Sequence, residues 1–137
     1  MPRRIRRLIP WLLCFLAIMG FAEPRLLPFR WDVEQMTDPK HMLVIAINGD
    51  ATAPTIRAQR GDTIVVEVRN SLGRELVIQW QILEKVLNRQ CGGTDRPISA
   101  GQTASYCLAA KQAGQYSYQV ESKLQRDAGL KGSVVVL

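Results

Sequence analysis

Histidine is almost absent from this 137-residue sequence, which contains only His41, and cysteine is scarce, with three residues. A serine or cysteine nucleophile needs a neighbouring base, and no serine has a histidine close to it in the sequence. A nucleophile elbow, a P-loop, a Cys-x-x-Cys pair, a zinc-binding helix motif and Asn-x-Ser/Thr acceptor sites are also absent. Hydrolytic, nucleotide-binding, thiol-redox and zinc-dependent functions are therefore not indicated.

Positive charge is concentrated at the amino terminus. The whole chain has a formal net charge of +6, but four arginines between positions 3 and 7 immediately precede the apolar run Leu8–Phe21. A basic head followed by an apolar segment is typical of a secretory signal peptide. We therefore predict a signal peptide at residues 1–22 with cleavage after Ala22. A membrane anchor is the alternative, which the shortness of the run and its Pro10 disfavour.

Cleavage at that position changes the charge of what remains. Residues 23–137 contain 14 Lys and Arg and 12 Asp and Glu residues, a net charge of +2, with no basic stripe. A nucleic-acid partner is not expected without such a stripe. The sequence predicts a secreted, extracellular protein with no membrane association after cleavage.

Two of the three cysteines survive that cleavage. Cys14 lies in the apolar run, which leaves Cys91 and Cys107. An even pair in the oxidising secretory pathway favours a disulfide, and closing a loop of this length stabilises a fold by ~3 kcal/mol. Two free buried thiols are the alternative.

After residue 22 the chain is divided into about eight short strands by turn signals such as Asn48-Gly49. In Thr63–Arg69 apolar and polar residues alternate with period two, which is typical of a half-buried strand. Leu83–Leu87 is expected to form one helical turn, with no amphipathic helix elsewhere. The main predicted strands are Phe29–Glu34, Met42–Ile47, Thr63–Arg69, Leu76–Ile82, Thr103–Leu108, Gln115–Val120 and Ser133–Leu137. This pattern predicts one all-β sandwich or barrel domain over residues 23–137.

Four local sequences, in order and at compatible spacing, resemble the amino-terminal domain of plant multicopper oxidases of the ascorbate oxidase and laccase type. They are Trp31–Glu34; Ala46–Gly49 with Ala53–Ala58 and Gly61–Asp62; Pro97–Thr103 with Tyr106; and Ala113–Gly114 with Tyr118, Gln125–Arg126 and Ala128–Gly132. The resemblance covers residues 28–137. It implies a Greek-key cupredoxin, or plastocyanin-like, sandwich.

The resemblance also implies where copper ligands would lie. The family binds copper through two His-x-His pairs, whose members share one face of a strand because side chains repeat every two residues. The matching positions hold Gln79 and Gln81 on either side of Trp80, and Gln119 and Glu121 after Tyr118. Because cupric ions prefer imidazole nitrogen to an amide oxygen, we expect no copper and no other cofactor.

A mononuclear blue-copper site is not expected either, because it requires two histidines and a cysteine. His41 lies in a turn-like segment far in sequence from Cys91 and Cys107. The family's cluster also lies between its first and third domains. The family's cysteine before the Pro97 segment aligns with Arg96, so its long-range disulfide is not expected, and a separate Cys91–Cys107 bridge would suit this domain.

The sequence thus predicts a non-catalytic, single cupredoxin-like domain that acts as an extracellular binding module for an unidentified protein or cell-wall partner. Two alternatives stay open: a copper-binding multicopper oxidase-type protein or fragment of one, and a truncated remnant without a selected role. The four replaced ligand positions are expected to form one solvent-exposed patch. Trp80 and Val120 are expected to point into the core.

Export is testable directly. If residues 1–22 are a signal peptide, the protein recovered from the medium of a secreting host will begin at Glu23. Amino-terminal sequencing of that material checks the cleavage position. Secreted protein that begins at Met1, or protein retained in the membrane fraction, would contradict it.

Overall fold

The computed structural model describes residues 25–37, 39–40, 42–81, 84–85, 91 and 96–137. These residues form nine strands and one short helix, α1 (Lys123–Asp127). The strands are β1 (Leu26–Thr37), β2 (Leu43–Ile47), β3 (Ile56–Ala58), β4 (Thr63–Asn70), β5 (Ile78–Trp80), β6 (Glu84–Lys85), β7 (Thr103–Ala109), β8 (Gly114–Val120) and β9 (Lys131–Val136).

The strands assemble into two sheets. One has the order β2-β1-β4-β7-β6 and the other the order β3-β9-β8-β5. Two pairs, β1 with β4 and β3 with β9, run parallel, and the remaining pairs run antiparallel. The all-β sandwich predicted from the sequence is confirmed.

The core lies between the sheets and follows the alternation of the sequence. Ile64, Val66 and Val68 of β4 are completely buried, as is Val33 of β1, and Trp31 is 3% exposed. Their chain neighbours point outward and are exposed or half-buried. Because each large apolar side chain contributes ~1.5–3 kcal/mol when it is fully buried, this alternation fixes which face of each sheet is inside.

The predicted Asn48-Gly49 turn joins β2 to the bridge residue Asp50. Asn48 has φ 53° and Gly49 has φ 81°, the left-handed conformations that a tight two-residue turn requires. The Asn48 side chain also bonds to the backbone of β1. Its Oδ1 accepts from the Asp32 N–H at 2.8 Å, and its Nδ2 donates to the Arg30 carbonyl at 2.7 Å.

Asp62 joins the start of β1 to the turn before β4. Its buried carboxylate accepts hydrogen bonds from Arg25 Nε at 3.1 Å, from Arg25 Nη2 at 2.9 Å and from the Gln59 N–H at 2.7 Å. The Arg25 guanidinium, followed by the Gln59 backbone N–H, holds the pKa of Asp62 below its ordinary value. The Gly61-Asp62 pair of the sequence therefore has a structural role.

A disulfide joins Cys91 to Cys107, with Cα atoms 5.6 Å apart. Cys107 lies on β7 between the inward-pointing Tyr106 and Leu108, so its side chain is on the outer face of the sheet. It is nevertheless buried, as is Cys91. The bridge therefore holds Cys91 against the outside of β7.

Two local predictions differ from the structure. Glu84 and Lys85, which were expected in a helical turn, pair with β7 as strand β6. The strand expected over Leu76–Ile82 is shorter, because Leu76 pairs with Ile98 outside β5. Ile82, the last residue of the expected strand, and residues 83, 86 and 87 of the expected turn lie outside the described residues.

Helix α1 was not predicted. Ser122 caps it, and the Ser122 hydroxyl accepts from the Gln125 N–H at 3.4 Å. Serine followed three residues later by glutamine is the sequence pattern of a capping box, so a signal for the helix was present. The Gln125 side chain instead donates to the Glu75 carbonyl at 3.0 Å, which ties the helix to the segment before β5.

Replacement of Asp62 by Asn is expected to lower the free energy of unfolding at neutral pH, because the amide loses the ion pair with Arg25. The folded-state pKa of Asp62 is depressed. The stabilisation is therefore present above the pKa of an unfolded aspartate, about 3.9, and is lost as the pH falls through the lower folded-state pKa. Urea unfolding of both proteins over this range measures the difference.

The matched control is Asp127→Asn, because the Asp127 carboxylate is exposed and lies 3.7 Å from Lys123 in a surface pair. We expect the control to change stability little at any pH. A difference between the wild type and Asp62→Asn that stays constant from neutral to acidic pH would contradict the role of the charge.

Candidate functional site: the replaced ligand positions

The structure brings the four replaced ligand positions onto one face of the smaller sheet. Gln79 of β5 lies directly opposite Gln119 of β8 in the antiparallel register. Gln81 lies opposite Ser117, and the Gln81 N–H donates to the Ser117 carbonyl at 3.0 Å. Glu121 lies opposite Val77, and the Glu121 N–H donates to the Val77 carbonyl at 3.0 Å. All four predicted side chains are exposed. We call Gln79, Gln81, Gln119 and Glu121 the replaced-ligand patch.

The patch is a diagonal band. Gln79 and Gln119 form its centre, with Gln81 and Glu121 displaced by two residues in opposite directions along the two strands. Diagonal neighbours on a sheet lie about 7–8 Å apart, still within reach of long side chains. The geometry that would let the two pairs serve one centre is therefore present in the backbone.

The surroundings of the patch are polar. On the other side of β8, Lys131 of β9 is in register with Gln119, and Ser133 is in register with Ser117. The Ser117 hydroxyl donates to Oε1 of Gln81. Val77 is the apolar neighbour in the row of Glu121, and it is half-buried. Lys131, which no sequence motif indicated, places a positive charge in the same row as Gln79 and Gln119.

Four aromatic side chains pack behind the patch. Trp80 is 6% exposed and Val120 is 2% exposed, so both point into the core as predicted. The Trp80 ring lies 5.7 Å from Trp31, 5.1 Å from Tyr118 and 5.7 Å from Tyr106, measured between ring centroids. Trp80 Nε1 has no hydrogen-bond partner among the described residues. Packing, not hydrogen bonding, therefore holds the Trp80 ring.

Tyr118 fixes β8 against two other parts of the fold. Its hydroxyl donates to the Pro54 carbonyl, and its burial raises the pKa of Tyr118 above the ordinary value. Its ring lies over Gly132 of β9, where a β-carbon would overlap the ring atoms. Glycine is thus required at position 132 by the close approach of Tyr118.

The donor set of the patch does not fit a copper centre. Three neutral carboxamides and one carboxylate replace the imidazoles of the family's two pairs, and Lys131 adds a nearby positive charge that repels cations. In the described part of the chain, no group of three or more His, Cys, Asp or Glu side chains is arranged to hold a metal. His41, which was expected to be a turn residue, lies outside the described residues.

The described residues include no helix long and apolar enough to cross a bilayer.

The sheet order and the paired positions on β5 and β8 define a cupredoxin-type domain. The family model described as multicopper oxidase matches residues 30–137, and the chain belongs to that family. It is 37% identical to L-ascorbate oxidase from Cucumis sativus over 82% of this chain and 21% of that protein. It is 33% identical to L-ascorbate oxidase from Brassica rapa subsp. pekinensis over 92% of this chain and 24% of that protein.

The fold is also found in solved multicopper oxidases. A laccase from Botrytis aclada superposes with a TM-score of 0.68 at 24% identity, covering 88% of this chain and 24% of that one. This likeness confirms the predicted cupredoxin fold. The chain spans about a fifth of the length of the ascorbate oxidases it matches.

Restoring imidazoles at the centre of the patch is expected to create a metal site. In the double variant Gln79→His/Gln119→His, the two rings project from residues in direct register, whose Cα atoms in such pairs lie about 5.5 Å apart. Titration calorimetry with Ni²⁺, reversed by EDTA, should detect binding that the wild type lacks.

The matched control is Gln79→His/Gln115→His, which has the same number of histidines on the same face. Position 115 lies four residues from position 119 along β8, a separation of about 13 Å. If the two variants bind Ni²⁺ equally, or if the Gln79→His/Gln119→His variant binds none, the two strands do not hold positions 79 and 119 in direct register.

Proposed function

We propose that this chain is an exported cupredoxin-like domain that binds no copper, performs no oxidation by itself and acts by binding an extracellular protein or cell-wall partner. The observation that carries the copper-free part of the proposal is the replaced-ligand patch. Its four side chains occupy the positions that the family's two histidine pairs would occupy, on one exposed face, and none of them is an imidazole.

Electrostatics supports the copper-free part of the proposal. Glu121 is the only anionic member of the patch, and Lys131 stands in the row of Gln79 and Gln119. A cupric ion at the centre of the patch would meet two amides and an ammonium group. Copper sites in proteins use imidazole and thiolate ligands, and the described residues place neither type on this face.

The non-catalytic part of the proposal follows from the same donor set. Electron transfer by this family depends on its copper, and the patch offers no group that could replace a redox centre. The ascorbate oxidases it resembles are about five times longer than the matched region, so their activity is not transferred to this chain on the strength of the resemblance.

The binding part of the proposal needs a surface other than the patch. The patch is surrounded by Ser117, Lys131 and Ser133, with one half-buried valine, so it has the composition of a solvated face. This polar composition favours the alternative of a truncated remnant without a selected role over binding through the patch. The intact core and the disulfide support a domain that remains stably folded without that site.

The copper-free, non-catalytic part is tested with the purified wild-type protein. After incubation with Cu²⁺ and removal of free metal, we expect no stoichiometric copper by elemental analysis, no blue colour, and no oxidation of ascorbate or phenols above buffer. The variant with histidine at all four patch positions is the positive control for copper retention. One tightly held copper per wild-type chain, or protein-dependent ascorbate oxidation, would overturn the proposal in favour of a copper protein.

A further inference from the structure

A groove lies between strands β1 and β2, the turn after β4 and helix α1. It has a volume of about 280 Å³. Its floor and walls come from these four segments: Gln35 of β1, Leu43 and Ile45 of β2, Leu72 and Arg74 of the turn, and Leu124 of the helix. Packing of the hairpin against the helix creates the groove, so no single segment of the sequence reveals it.

The lining of the groove is mixed, with apolar and polar side chains in nearly equal measure. Its apolar part is incompletely covered, because Leu124 lines the groove and is 56% exposed. Leu124 is also the one exposed large apolar side chain of the described residues that lines the groove.

One charge is present in the lining. Arg74 is exposed, and among the described residues its guanidinium has no ion-pair or hydrogen-bond partner. The other polar side chains of the wall are the neutral amides of Gln35 and Gln125. Gln125 is 7% exposed and is held by its bond to the Glu75 carbonyl, so that wall is rigid. An unpaired guanidinium beside apolar surface is suited to bind a carboxylate.

We propose that this groove binds an extended segment of a partner protein in which apolar side chains flank an acidic residue. The apolar side chains occupy the leucine-lined floor, and the carboxylate pairs with Arg74. The volume accommodates a few side chains, which suits a short segment. Charge complementarity to Arg74 selects an acidic segment over a basic one.

This inference rests on the proposed binding function and names the surface and the partner chemistry. The test uses the purified wild-type protein and a fluorescein-labelled eight-residue peptide of alternating leucine and glutamate. Two matched peptides replace every glutamate by lysine, or every leucine by serine. Fluorescence anisotropy should show saturable binding of the leucine–glutamate peptide, with the other two about tenfold weaker or more.

Variants assign the binding to the groove. Arg74→Glu should invert the preference, so that the lysine peptide binds better than the glutamate peptide. Leu124→Ser should weaken both. Arg57→Glu is the matched control, since Arg57 is exposed on β3 of the other sheet, and it should leave the glutamate peptide's affinity unchanged. Thermal unfolding of each variant checks that the fold is intact.

The absence of saturable binding by the leucine–glutamate peptide overturns the inference, as does a preference that Arg74→Glu does not change. The wild type is also tested for copper binding and oxidation. If the leucine–glutamate peptide does not bind and the wild type binds no copper and oxidises nothing, the groove inference is wrong, and the copper-free, non-catalytic part of the proposed function stands. If the wild type binds copper, the proposed function falls whatever the peptides show.

Discussion

The register between β5 and β8 is the constraint on which the patch depends. Trp80 and Tyr118 face each other across this pair, and both must be inside because their large rings pack against Trp31. Side chains on a strand alternate between the two faces, so a shift of one residue would expose both rings and bury the amides. Packing of these aromatic rings in the core therefore places all four side chains of the replaced-ligand patch on the exposed face of the sheet.

The residues that stabilise the fold are therefore different from the residues at the family's copper-ligand positions. The side chains that determine the position of the two strands lie in the core, while the replaced-ligand patch lies on the surface and makes few contacts. Substitution of exposed strand residues usually changes stability by little. A cupredoxin domain can therefore lack imidazole ligands at these positions and keep its fold.

The sequence was informative where local chemistry decided the structure. Strict alternation identified β4, and the Asn-Gly pair identified the turn after β2, because both signals are contained in a few residues. The strand at Glu84–Lys85 could not be seen in this way, since its pairing with β7 is a long-range contact. The groove beside Arg74 and the placement of Lys131 next to Gln119 were missed for the same reason.

Asn48 has a consequence for how molecules of this protein meet one another. The ladder between β1 and β2 ends at Val33, so the backbone of β1 before that residue would present an open edge to a strand of another molecule. The side chain of Asn48 occupies the donor and acceptor at Asp32 and Arg30. A single turn residue thereby takes up two of the backbone groups through which a strand of another molecule could add to this edge.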